Sequence, residues 1–438
     1  MTRSRGAIGA ALLLATQLVA ACAPAAVPPA TQPRAPHSTA AQASADAPST
    51  VALIARLRDR LAADPDDAAT LRDLGLALLQ RVRETADPSL YDQADEALDR
   101  ARDLAPDDPL ILVGIGGLEL GRHDFEDALA TAEAALELAP SMAAAHAVKV
   151  DALVELGRYD DATEAAAELL AIRVDLASLA RVSYLRELHG NVAGAVAAMR
   201  QAAESPALAP ENTAYVRTLL GNLLVNAGRP DEARETYEAV IAAAPDHAAA
   251  RAGLGRLAIG RGDLDEAIAQ FERAAAILPL PEYVIALGEA REASGDIDGA
   301  AASYDLARAE TQLFVAAGVD VDLELALFEA DHGDPAKAVE LADAAYATRQ
   351  TIRTADALAW AYHRADRAAD ASRLSAEALR LGTHDALLRY HAGMIALAAG
   401  DVTTARAHID AALAADAGFS ATGVAAARRA LMEIAAVP

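Results

Sequence analysis

Residues 254–279, LGRLAIGRGDLDEAIAQFERAAAILP, decide how this chain folds. Two apolar-periodic stretches flank Gly262-Asp263, each spaced for a helix. Glycine ends the first helix in a left-handed turn, and aspartate follows where a second helix starts. The same cluster recurs as Gly157-Arg-Tyr-Asp-Asp-Ala162, Gly228-Arg-Pro-Asp-Glu-Ala233, Gly295-Asp-Ile-Asp-Gly-Ala300, Gly333-Asp-Pro-Ala-Lys-Ala338 and Gly400-Asp-Val-Thr-Thr-Ala405. Aligned on the closing alanine, the units fall at Ala94, Ala128, Ala162, Ala195, Ala233, Ala267, Ala300, Ala338, Ala371 and Ala405. The gaps are 34, 34, 33, 38, 34, 33, 38, 33 and 34 residues. A fixed period of that size signifies a stack of identical small units, each burying its apolar face against the next.

The units resemble tetratricopeptide repeats (TPRs). Leu254-Gly255 is followed by Ala267, Phe271, Ala274 and Pro279; Leu220-Gly221 by Ala233, Tyr237 and Pro245; Leu287-Gly288 by Ala300, Tyr304 and Ala307. Glycine in the first helix admits the second closely, and the aromatic fills the gap between hairpins. The resemblance implies an all-α, right-handed TPR solenoid of about ten helix-turn-helix repeats, close to one superhelical turn. Departures are a lengthened first turn at 81–90, two extra residues after Gly121, four-residue insertions near Ser205 to Asn212 and Thr311 to Asp320, and Asp366 in a turn-glycine place. LARVSYLRELHGN, DALAWAYHRA and LLRYHAGMIA further resemble a group of uncharacterised bacterial TPR proteins, which transfers no activity.

The N-terminus has a separate logic. Arg3 and Arg5 precede an apolar stretch from Ala7 to Ala21, too short to span a bilayer comfortably. Val19-Ala20-Ala21-Cys22 then resembles a bacterial lipobox, and Cys22 is the only cysteine in 438 residues. The resemblance implies cleavage before Cys22 and lipidation of its thiol. The expected organisation is a signal peptide at 1–21, a lipidated Pro/Ala-rich tether at 22–50, an N-terminal capping helix at 51–66, the TPR array at 67–418 and a C-terminal capping helix at 419–438, with Ser420 as its N-cap. A net charge of −26 argues against nucleic acid and against adhesion to anionic lipid heads. Membrane attachment is therefore expected through the lipid, and no internal disulfide is available.

In TPR solenoids the first helix of each pair lines a concave groove. Its inward positions lie eighteen, fifteen, eleven and eight residues before the marker alanine. These positions and their neighbours supply the candidate ligand-binding residues Tyr184, Tyr215, Asn222, Asn226, Arg256, Arg353, Asp356, Trp360, His363, Tyr390 and His391, with Glu187, Glu282, Glu289 and Glu292 beside them. Rigid aromatics with amide and guanidinium donors suit recognition of a peptide. No histidine pair has i, i+4 ligand spacing and no catalytic fingerprint occurs, so neither a metal, a cofactor nor an enzyme is expected. The function expected is a lipid-anchored cell-envelope scaffold binding a protein or peptide partner, in envelope assembly or secretion. Its location would be the outer membrane facing the periplasm in a Gram-negative cell, or the outer face of the cytoplasmic membrane in a Gram-positive one. Alternatives are a small-ligand or metal-binding accessory of a transport system, and an adaptor for cell-wall hydrolases.

Overall fold

The computed structural model describes residues 49–205 and 210–436. The leader, Cys22 and all but the last two residues of the tether lie outside the described residues. Among these there are 22 helices and no strand. Helix α1 (Thr50–Ala63) precedes ten hairpins. The first three are α2 (Ala68–Thr85) with α3 (Leu90–Leu104), α4 (Pro109–Arg122) with α5 (Phe125–Leu138), and α6 (Ala143–Glu155) with α7 (Tyr159–Ile172). Next come α8 (Leu176–Leu188) with α9 (Val192–Glu204), α10 (Pro210–Asn226) with α11 (Pro230–Ala243), and α12 (Ala248–Arg261) with α13 (Leu264–Ile277). The last four are α14 (Pro281–Ser294) with α15 (Ile297–Ala316), α16 (Asp322–His332) with α17 (Pro335–Thr348), α18 (Ile352–Arg364) with α19 (Ala368–Ala378), and α20 (Ala386–Ala398) with α21 (Val402–Ala415). Helix α22 (Ala421–Ala436) closes the chain, its N-terminus capped by Ser420 Oγ, which accepts from the Gly423 amide at 3.0 Å.

Local chemistry explains the repeated turn. Gly262 ends α12 at φ 76°, and Asp263 accepts from the Glu266 amide at 3.2 Å to cap α13. Where glycine is missing, Asp366 (φ 60°) and His123 (φ 69°) take the left-handed place, residue types that tolerate it better than most. Every marker alanine is at most 2% exposed, because the paired helices cross there. A Cβ on Gly255 would fall 2.8 Å from the Phe271 ring, and one on Gly221 only 2.3 Å from Tyr237. Gly255→Leu therefore overpacks its crossing and is expected to cost about 1–3 kcal/mol, read as a lowered urea midpoint. The insertion near Thr311 is absorbed as helix: α15 runs 20 residues where α13 runs 14.

The array wraps past a single turn, and its coils touch along a seam. The turn of one hairpin meets the linker that lies five to six hairpins later. His123 Nδ1 lies 2.5 Å from the Asp320 carbonyl, 197 residues away, and the Asp320 amide donates back to the Arg122 carbonyl at 3.1 Å. One hairpin on, the Ile352 amide donates to Tyr159 Oη at 3.0 Å, while Arg349 lies over Phe125 and 3.8 Å from Glu155. Gly157 and Gly190 sit where the coils approach closely. A Cβ on either would lie within 2.6 Å of the Gln350 or Gly382 carbonyl oxygen. Further along, Arg256 pairs with Asp416 at 2.5 Å. Helix α22 also packs back against α14 and α20. The concave face is thus walled in, rather than left as an open trough.

Candidate ligand chamber inside the solenoid

The first helices of the middle hairpins turn their inward side chains towards those of the last two. Between them lies a chamber of about 690 Å³, its open mouth included, lined by Tyr184, Glu187, Asn222, Asn226, Arg256, Arg353, Asp385 and Phe419 among others. Asn222, Arg256 and Phe419 are shared with a neighbouring cavity of about 540 Å³ that also holds Glu282, Tyr283, Glu289 and Ser420. The inward register of five hairpins therefore meets in the chamber, and that of a sixth joins in the neighbouring cavity.

Hydrogen bonds fix much of this wall. Asn226 Nδ2 donates to Glu187 Oε1 at 2.8 Å, and the buried Tyr237 hydroxyl donates to Asn222 Oδ1 at 2.6 Å. Each amide is thus half committed to the scaffold. Arg256 is bound by Asp416, whereas the nearest carboxylate to Arg353 is Asp385 at 3.9 Å. Asp385 spends Oδ1 capping α20 through the Leu387 and Leu388 amides. In the adjoining cavity Ser420 Oγ donates to Glu289 Oε2 at 2.8 Å, and Glu289 Oε1 faces His332 Nε2 at 3.5 Å. Burial raises the Glu187 carboxyl above its ordinary range, against the lowering effect of Asn226. Burial likewise pushes Glu282 up to about 7.

That last shift has a definite sign. A carboxyl whose pKa is higher folded than unfolded keeps its proton longer in the native state, so stability falls as pH rises between the two values. Glu282→Gln removes this term. Relative to wild type, the variant is expected to gain stability between pH 4.5 and about 7 and hold that gain at pH 8. Parallel thermal melts at pH 4.5 and pH 8 check it, and an unchanged difference refutes the assignment.

The structure divides the sequence candidates into two groups. Tyr184, Asn222, Asn226, Arg256 and Arg353 line the chamber. Tyr215, Asp356, Trp360, Tyr390 and His391 do not: they are at most 6% exposed and belong to the packed interior. The reason is pairing. His391 Nδ1 contacts Asp356 Oδ2 at 2.7 Å and its ring stacks on Trp360 at 4.3 Å, while Trp360 Nε1 donates to Asp331 Oδ1 at 2.8 Å. His363 packs beside the same indole, and burial lowers its pKa to about 4. Asn222 is also less free than an inward, solvent-facing amide should be, since removing it would strand the Tyr237 hydroxyl. Asp385 and Phe419 escape the inward register because they come from linkers, and neither is among the sequence candidates. Among the described residues no three His, Cys, Asp or Glu side chains gather as a metal site, and no helix is long and apolar enough to cross a membrane.

Comparison with known proteins agrees with the repeat architecture. One tetratricopeptide-repeat family matches residues 89–143 and 218–280, and a second matches residues 119–186. No curated protein matches. Similar solved structures include YrrB, described as a TPR protein with an unusual peptide-binding site (23% identity, 42% of this chain and 93% of that one, TM-score 0.30). Others are human IFIT1 with PPP-AAAA (14%, 72% and 73%, 0.47) and Pseudomonas aeruginosa PilF (22%, 50% and 98%, 0.38). The fold is that of a TPR solenoid, an architecture that typically serves as a non-catalytic scaffold for protein–protein interaction.

Proposed function

We propose that this chain is a lipid-anchored scaffold of the bacterial cell envelope that holds a protein partner in assembly or secretion and catalyses nothing itself. The carrying observation is the convergence of Tyr184, Asn222, Asn226, Arg256 and Arg353, residues from four separate hairpins, on one chamber. The seam limits what enters. A long extended chain has no open trough to lie in, so the partner contributes a short element, a chain end or a tight loop. The lipobox at Cys22 and the proline-rich tether support attachment to a membrane, and Ala23 after the cysteine favours outer-membrane sorting in a Gram-negative cell.

One experiment tests both halves of the proposal. Tagged wild type, Cys22→Ser and Arg353→Met are crosslinked in envelope fractions and purified. Wild type is expected in the membrane fraction with a defined partner, Cys22→Ser in the soluble fraction, and Arg353→Met in the membrane with partner capture reduced about ten-fold, the scale of one lost charged hydrogen bond. Membrane retention of Cys22→Ser through a high-salt wash refutes the anchor; undiminished capture by Arg353→Met refutes the chamber.

A further inference from the structure

The chamber wall carries an incompletely hydrogen-bonded cation beside carboxylates that each keep one oxygen free of hydrogen bonds. Among the described residues Arg353 Nε and Nη1 are shut off from solvent without a hydrogen-bond partner, while the Tyr184 hydroxyl and Asp385 stand beside the guanidinium. A buried guanidinium left in that state is costly, and its planar fork matches a carboxylate. The same wall holds Glu187, whose Oε1 is taken by Asn226, and Asp385, whose Oδ1 is taken by the α20 cap. Among the described residues the second oxygen of each accepts no hydrogen bond, and Asp385 Oδ2 stands 3.9 Å from the guanidinium. A plain anion entering beside Arg353 would be repelled by these two carboxylates, and a dianion such as phosphate more so. A plain cation would compete with Arg353 for Asp385. A ligand bearing both charges a few atoms apart satisfies both demands.

We infer that the chamber binds a small zwitterion, a free amino acid or dipeptide, with its carboxylate on Arg353 and the Asn222 amide and its ammonium on Glu187 and Asp385. Phe419 and Leu387 supply apolar wall. This goes beyond the partner reading, although both use the same chamber.

Titration calorimetry of the full chain decides it with four probes: alanyl-alanine, N-acetyl-alanyl-alanine, alanyl-alaninamide and inorganic phosphate. The free dipeptide is expected to bind at least ten-fold tighter than each of the others, since every blocked form loses one charged contact with the wall. Arg353→Met is expected to weaken the dipeptide at least ten-fold, and Glu187→Gln several-fold, with unchanged helical circular dichroism. Equal binding of blocked and free forms overturns the inference. So does preferred binding of phosphate, or no binding of the dipeptide at millimolar concentration. Because the probe series is run on wild type, it decides even where a variant misfolds. If the dipeptide fails while Arg353→Met still loses its protein partner, the zwitterion falls and the scaffold stands.

Discussion

Trp360→Ala is expected to destabilise the last hairpins by about 3–5 kcal/mol, the range for emptying a buried aromatic site. The indole is 1% exposed, stacks on His391 and lies 5.9 Å from Tyr390. Its loss also takes the Nε1 donor from Asp331, a carboxyl that burial holds well above its usual range. Each hairpin buries surface mainly against its neighbours, so the damage should stay local. Hydrogen exchange is expected to accelerate in α16, α18 and α20 before the first hairpins respond, with an early step in the thermal melt. Trp360→Phe, which keeps most of the volume but not the donor, should cost less. A Trp360→Ala protein that melts like wild type would return the indole to the role of an exposed anchor for a ligand.

The second large effect belongs to a buried ion pair away from the chamber. Arg181 and Asp151 hydrogen-bond between α8 and α6, with side chains 2% and 6% exposed. Arg181 is further held by the carbonyls of Ala147 (3.2 Å) and Ala177 (3.1 Å). Asp151→Ala removes the buried carboxylate that this guanidinium bonds, and about 3–5 kcal/mol is expected to be lost. The double variant Asp151→Leu/Arg181→Met removes both charges and should recover most of the loss. Urea unfolding of the two proteins gives the comparison. If the double variant is no better than the single, the cost arises from packing and not from the stranded charge.

Both variants bear on what a TPR-like sequence discloses. Inward register is a rule about one hairpin: residues eleven and fifteen before the marker alanine face the concave side. It identified Asn222 and Arg256, which line the chamber, and by the same spacing it identified Trp360 and Asp356, which are buried. Nothing local separates these cases. Asn222 and Trp360 hold equivalent places in their hairpins, and differ in what stands opposite. The chamber lies before Asn222, while Trp360 is covered by His391 from the next hairpin and held by Asp331 from the preceding one.

The sequence by itself determined the repeat. The marker alanines, Gly255 facing Phe271, and the glycine-aspartate turns are set by contacts within a hairpin or between adjacent ones, so their chemistry is written within one period. Only the tertiary structure decided that the coil closes on itself. Its pitch is the sum of small rotations at every hairpin junction, and no single junction displays it. That sum brings Tyr159 to Ile352, Arg256 to Asp416 and Arg353 to the chamber wall. Pairs more than a hundred residues apart make the seam, and the seam narrows an open groove to a chamber with a mouth.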